Sequence, residues 1–502
     1  ILCHLCISNT VYKVVEKQKR NYQLYLTGQK QYSSTQFYTR EELTMIFSSL
    51  EFIFIFLPIF LIIYFVSSKK YRNYILLIGS IIFYIVGAWG HLHYILLLAL
   101  TILINYIIGK NLYKSKNRKL LVIGIIYNLF WLILFKYSDF IISIICNIRN
   151  VDIEPLNLLL PIGISFYTFQ SISYIVDIYN EKCKPANSII RYAMYVLMFP
   201  QLISGPIVTY KDINKELNNR KESLTNIKVG AKYFILGLGF KVLLANRIGC
   251  LWNDINMIGV ESISTGLAWL SVIAYSLQIY FDFCGYSFMA VGLGKIMGFT
   301  LPINFETPYL STSMTEFFRR WHISLGNWFK NYVYIPLGGN RNGKLKTIFN
   351  LLVVWILTGL WHGANYNFIL WGLFIWLVIV LEKLCMKKYL DKYKIFGHLY
   401  MLILIPITWS IFAITDINQL GILLTKLFSY SNGLYELDFI KYLSIYGVLI
   451  LVGIVCTTKI PKKLLITKQN TWVQTIILLL IFSMSIYYLY IGLNNPFLYF
   501  SF

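Results

Sequence analysis

Runs of roughly twenty predominantly apolar residues recur along most of the chain, separated by short polar connections, and runs of that length cross a bilayer as helices. They lie near 46–66, 74–90, 92–109, 120–135, 161–179, 233–250, 266–298, 345–361, 365–381, 399–415, 439–457 and 472–494. The pattern predicts an all-α polytopic integral membrane protein of about a dozen transmembrane helices. Further re-entrant or buried helices are expected around a central cavity. The stretch 192–210, "YAMYVLMFPQLISGPIVTY", breaks the alternation of sides if it spans. Its Pro200, Gly205 and Pro206 suit a re-entrant or broken helix, which is tolerated where protein or a water-filled cavity surrounds the backbone.

The polar connections carry the charge. Lys69, Lys70 and Arg72, then Lys114, Lys116, Arg118 and Lys119, then Lys383, Lys387 and Lys388, then Lys459, Lys462 and Lys463 cluster between spans. With the first span starting outside, these loops all fall on the cytoplasmic side, as the positive-inside rule requires. The connections "NDINMIGVES" and "TDINQLG" fall outside and are acidic or neutral. Residues 1–44 are polar, patternless and begin with Ile. They are expected to be an added segment outside the native protein, with Met45 as the start and 45–502 as one membrane domain. The preceding "REELT" fits a translated purine-rich ribosome-binding sequence. No cleavable signal precedes the first span, which is expected to act as its own insertion signal.

Composition narrows the function. The 502 residues are 57% hydrophobic and 13% charged, against about a quarter charged in soluble domains. A net charge of +23 suggests nucleic acid, but no compact basic face or binding fold accompanies it, so the partner implied is membrane lipid with anionic headgroups. Cys3, Cys6, Cys146, Cys183, Cys250, Cys284, Cys385 and Cys456 are mostly solitary and near apolar segments. They support neither a disulfide framework nor a metal site. No internal repeat is evident, which disfavours an inverted-repeat transporter. "GGNRNGK" at 338–344 has the spacing of a phosphate loop, but Leu345 stands where Ser or Thr must bind magnesium and no strand precedes it. "GLGKIMG" at 292–298 lies in a span, where small residues serve helix packing.

Of six histidines, four have plain readings. His91 and His93 sit at a span end, His4 lies in the added segment, and His398 follows a basic loop. His322 and His362 differ, embedded in "FFRRWHISLGNWF" and "LTGLWHGANYNFILW". Ionisable groups at membrane depth mark pathways or chemistry by default, although a structural histidine bonded to a carbonyl is the plain alternative. Gly359, Gly363, Asn365 and Asn367 suggest a lined cavity around His362. The charge rule puts the 299–344 segment inside, so His322 is expected toward the cytoplasm and His362 deeper or outward, one at each end of a path. The paired Arg319 and Arg320, beside Trp321 and Trp328, suggest a phosphorylated acyl carrier, since guanidinium forks bind phosphates and indoles stack on cations or adenine.

These residues carry a resemblance to the membrane-bound O-acyltransferases, closest to the branch that O-acetylates alginate and cell-wall polymers. It runs from Met45 to Phe502 through "MIFSSLEFIFIFLP", "PIGISFYTFQSISYIVDIY", "FPQLISGPI", "IYFDFCGYSFMAVGLGKIMGF", "TEFFRRWHISLGNWFKNYVYIPLGGNR", "GLWHGANYNFILWG" and "NPFLYFSF". The resemblance implies that His362, in "WHG", is the central catalytic residue and His322 the second functional histidine. Arg319, Arg320, Trp321, Trp361, Asn365 and Arg341 are then expected to handle the donor or line its path. The chain departs from the branch at Gly326-Asn327, Lys330-Asn331 and Cys284.

The same resemblance implies O-acetylation of an extracytoplasmic polysaccharide at a bacterial plasma membrane. Acetyl-CoA is the expected donor, no cofactor or metal is expected to be permanently bound, and an extracytoplasmic esterase-like partner completes the transfer. As a neutral imidazole, His362 serves as general base or as a covalent acyl carrier. D-alanyl transfer to teichoic acids, a transporter without chemistry and a membrane haem protein with His322 and His362 as axial ligands are the competing readings.

Overall fold

The computed structural model describes residues 45–467, 471–492 and 498, apart from 204 and 436. The expectation about residues 1–44 therefore lies outside the described residues. Helices are the only regular structure among the described residues. Among the described residues, nine helices are long and apolar enough to cross a membrane, and Phe52–Val66, Arg72–Gly87 and Ile417–Phe428 are shorter apolar ones. Eleven of the twelve expected segments fall on these helices, although Arg118–Arg149, Leu224–Ile258 and Tyr366–Lys392 run well past the expected ends.

The exception is the segment expected as a crossing at 161–179. It forms a helix over Ile164–Tyr179 in which every residue except Val176 and Tyr179 is buried. Ser165, Thr168, Gln170, Ser171, Ser173 and Asp177 recur on every turn of it. Lipid satisfies none of those groups, so the helix is an internal pillar surrounded by protein. The opposite error occurs at "TDINQLG", read as a loop. There Asp416 caps Ile417–Phe428 by accepting from the N–H groups of Asn418 and Gln419, the ordinary N-cap bond.

The stretch 192–210 is broken as expected. Helix Ile189–Leu197 stops at Met198, a single turn spans Phe199–Leu202, and the described residues there are almost all buried.

Eight helices build the site. They are α1 (Arg118–Arg149), α2 (Ile164–Tyr179), α3 (Thr265–Ile296), α4 (Met314–Arg320), α5 (Ile323–Phe329), α6 (Gly343–His362), α7 (Tyr366–Leu381) and α8 (Lys394–Ala413). Central α3 is almost wholly buried. An added Cβ at its Gly285 or Gly292 would lie 2.6 Å from the carbonyl oxygen of Gly237 or Gly230. Gly292 of "GLGKIMG" is thus a packing residue, as the sequence suggested.

Candidate active site

His362 is the last residue of α6, and its neighbour Gly363 leaves the helix in an extended conformation. The chain returns immediately as α7, and the two helices touch backbone to backbone. A Cβ added at Gly359 would come within 2.2 Å of the Phe368 carbonyl, and one at Gly372 within 2.3 Å of the Trp355 carbonyl. A Cβ at Gly363 would strike the Phe368 ring at 2.1 Å. The glycines around "WHG" therefore close a helical hairpin; they do not open a cavity. Asn367 is equally structural. It is fully buried and donates to the carbonyls of Phe412 and Ile411, 2.8 and 3.4 Å away, tying α7 to the end of α8. Asn365 stands at the N-cap of α7 without a side-chain capping bond.

Aromatic rings hold the imidazole. Trp361, Trp371 and Phe412 approach His362 with centroids at 5.1, 5.2 and 5.1 Å, all near edge-on. His362 keeps 8% of its surface exposed and His322 keeps 3%.

His322 reaches the same place by a different route. The 299–344 segment, expected as a cytoplasmic connection, instead folds inward as the short helices α4 and α5. His322 is the joint between them, in the left-handed conformation at φ 45°. That conformation costs a non-glycine residue about 1–2 kcal/mol. Asn304 holds the joint: its backbone carbonyl accepts from Ile323 N–H at 3.0 Å and its side-chain oxygen from Ser324 N–H at 3.1 Å. Two carboxylate oxygens of Glu382, at the end of α7, cap α4 by accepting from the N–H groups of Met314 and Thr315.

The His322 ring meets Phe283 of α3 edge-on at 4.6 Å and Trp361 at 5.9 Å. Both imidazoles thus pack on one indole, and their separation cannot exceed the sum of 5.9 and 5.1 Å. The hydrocarbon core is about 30 Å thick. The arrangement expected from charge, a histidine at each end of a path, is overturned: the two form one cluster. From α2, Phe166 and Phe169 close the other faces of Trp361 at 5.7 and 5.5 Å.

The remaining expected residues divide. Trp321 is buried against Phe317, Trp409 and Phe305, and Trp328 stacks on Phe169 at 3.7 Å. Neither indole is open to an adenine, contrary to the sequence suggestion. Arg320 is paired with Glu316 at 2.6 Å. Burial alone would raise the Glu316 carboxyl, but bonds from Thr312 and the Arg320 and His398 charges hold it below the usual carboxylate range. Arg319 is exposed. Arg341 is exposed in the turn before α6, about 30 Å along that helix from His362. Arg319 and Arg320 lie at the end of α4, three and two residues before His322, whereas Arg341 lies at the far end of α6 from His362.

Two residues that touch the site escaped the sequence reading. The Lys136 amine of α1 donates to the carbonyls of Trp361 and His362 at 2.7 and 2.8 Å, and the Tyr137 hydroxyl donates to that of Leu360. The signal was a solitary lysine in "LILFKYSDF", an ionisable residue inside a span. No group of three or more metal-ligating side chains occurs among the described residues.

Comparison with known proteins adds an independent line. The sequence model of the membrane-bound O-acyltransferase family matches residues 186–423, a range that holds both histidines. A probable alginate O-acetylase of Pseudomonas syringae is 40% identical, over 77% of this chain and 76% of its own length. A peptidoglycan O-acetyltransferase of Helicobacter pylori is 35% identical over 66% of this chain and 68% of its own. A teichoic acid D-alanyltransferase of Streptococcus thermophilus is 30% identical over 47% and 61%.

Proposed function

The chain belongs to the membrane-bound O-acyltransferase family, and from that premise we propose that it moves an acetyl group from cytoplasmic acetyl-CoA to an extracytoplasmic polysaccharide. It is an integral membrane O-acyltransferase; the donor, acceptor and direction are the proposal. The observation that carries it is the pairing of His322 and His362 on Trp361, at the end of a membrane-length helix. Helix α6 rises about 30 Å from the cationic residues Lys344 and Lys346 to His362. Lys136, which grips that end, lies about 27 Å along α1 from the cationic loop at Lys114–Lys119. Both lengths match one hydrocarbon thickness, which supports delivery of the acyl group toward the face opposite the basic loops.

At that point His362 takes the proton of an attacking hydroxyl as the oxygen bonds to the acyl carbon. The proton then passes to the departing thiolate as the thioester C–S bond breaks. General-base assistance of this kind is worth about a hundred- to ten-thousandfold. Attack by the imidazole itself, giving an acyl-histidine that the hydroxyl then relieves, obeys the same balance. A secreted or anchored esterase-like partner carries the acetyl group onward to the polymer, and the protein resides in a bacterial plasma membrane. D-alanyl transfer is the second reading, but the D-alanyltransferase covers less of the chain at lower identity than the O-acetylases do. Mass spectrometry of wall and exported polymers tests both. His362→Ala, expressed and folded, is expected to abolish acetyl esters. Retained acetyl esters overturn the proposal, and selective loss of alanyl esters moves it to the second reading.

A further inference from the structure

The last four carbonyls of any helix lack partners within it, and a helix end is where a backbone frays. In α6 that end bears His362. Lys136 and Tyr137, adjacent on α1, satisfy the carbonyls of Leu360, Trp361 and His362 between them. A lysine inside a span is costly and ordinarily finds a carboxylate. Here Asp139, one turn further on α1, gives its two oxygens to the N–H groups of Leu156 and Asn157. No ion pair involving Lys136 occurs among the described residues. What faces the ammonium is the negative end of the α6 dipole. Such an expensive group is placed on the backbone of the one residue whose ring must be aimed.

We propose that Lys136, assisted by Tyr137, is a positioning residue for acyl transfer, fixing the backbone of Trp361 and His362 so that the imidazole is held at the reacting centre. The inference rests on the acyl-transfer reading for its kinetic test only. In the full-length purified protein with acetyl-CoA as probe, Lys136→Met keeps the aliphatic stem and removes the ammonium. A misplacement near 1 Å costs on the order of a hundredfold in rate, so kcat is expected to fall on that scale with KM barely moved. Lys136→Arg is expected to recover most of the rate, because a guanidinium can also donate to two carbonyls. An unchanged kcat in the Met variant, or a change confined to KM, overturns the proposal.

Carbethoxylation of His362 by diethyl pyrocarbonate, followed by peptide mass spectrometry, reads the same geometry without a substrate. Faster labelling in Lys136→Met, restored by Lys136→Arg, supports the proposal, and equal labelling in all three proteins refutes it. Wild-type protein inert toward acetyl-CoA but showing that labelling pattern would remove the acyl-transfer reading and leave the positioning role intact. Should Lys136→Met not fold, Tyr137→Phe removes one of the three bonds and is expected to shift kcat and labelling in the same direction by less. No shift in either would count against the proposal.

Discussion

At the scale of single residues, His322 combines two roles that a substitution series can separate. Its ring faces Trp361 and Phe283, while its backbone makes the left-handed joint between α4 and α5. Alanine removes the ring and keeps the strain; glycine removes the ring and relaxes it. His322→Gly is therefore expected to unfold later than His322→Ala, by about 1 kcal/mol, while both lose activity alike. Thermal unfolding in detergent beside a transfer assay checks this. An Ala variant as stable as the Gly variant would mean that the joint carries no strain. That both histidines lie buried among aromatic rings was legible because indoles flank them in the sequence. Their closeness was not, since loop charge assigns a side of the membrane and says nothing about a connection folding back into it. Lys136 went unread for a related reason: one cation in an apolar run looks the same whether it snorkels to water or caps a distant helix.

Helices show where hydropathy succeeds and where it misleads. Nine of the expected crossings were readable as helices of membrane length, and two more as shorter apolar helices, because long apolar runs have few alternatives. Helix α2 was misread because it is apolar enough to be counted, yet its serines and Asp177 need protein around them. Gly359 was read as space, whereas it is contact: the α6–α7 crossing leaves 2.2 Å where a methyl would sit. Gly359→Ala should therefore force the helices apart and cost about 1–3 kcal/mol, seen as a lower unfolding temperature. Because the strain falls one turn before His362, transfer activity should drop as well. Normal stability and activity would show that the crossing adjusts freely.

At the scale of the whole molecule, a buried ion pair anchors a long-range tie. Lys241 and Asp282 are each about 2% exposed and bond to one another, and Asp282 also accepts from Leu498 N–H at 2.8 Å. Residues more than two hundred positions apart thus meet on one carboxylate. Asp282→Asn leaves the ammonium without its counter-charge and should destabilise by about 3–5 kcal/mol, whereas replacing both partners by apolar residues should recover much of the loss. Unfolding midpoints of the single and double variants decide this, and an additive double variant would refute the coupling. Nothing in the sequence announced the pair, because a lone lysine and a lone aspartate about forty residues apart carry no pattern.

The shared indole has an optical consequence. Trp361 is one of twelve tryptophans, but it alone lies against both imidazoles among the described contacts. Subtracting the fluorescence of a Trp361→Phe protein isolates the emission of that single ring. Any molecule lodging beside either histidine must disturb it, so occupancy can be followed in real time without a label.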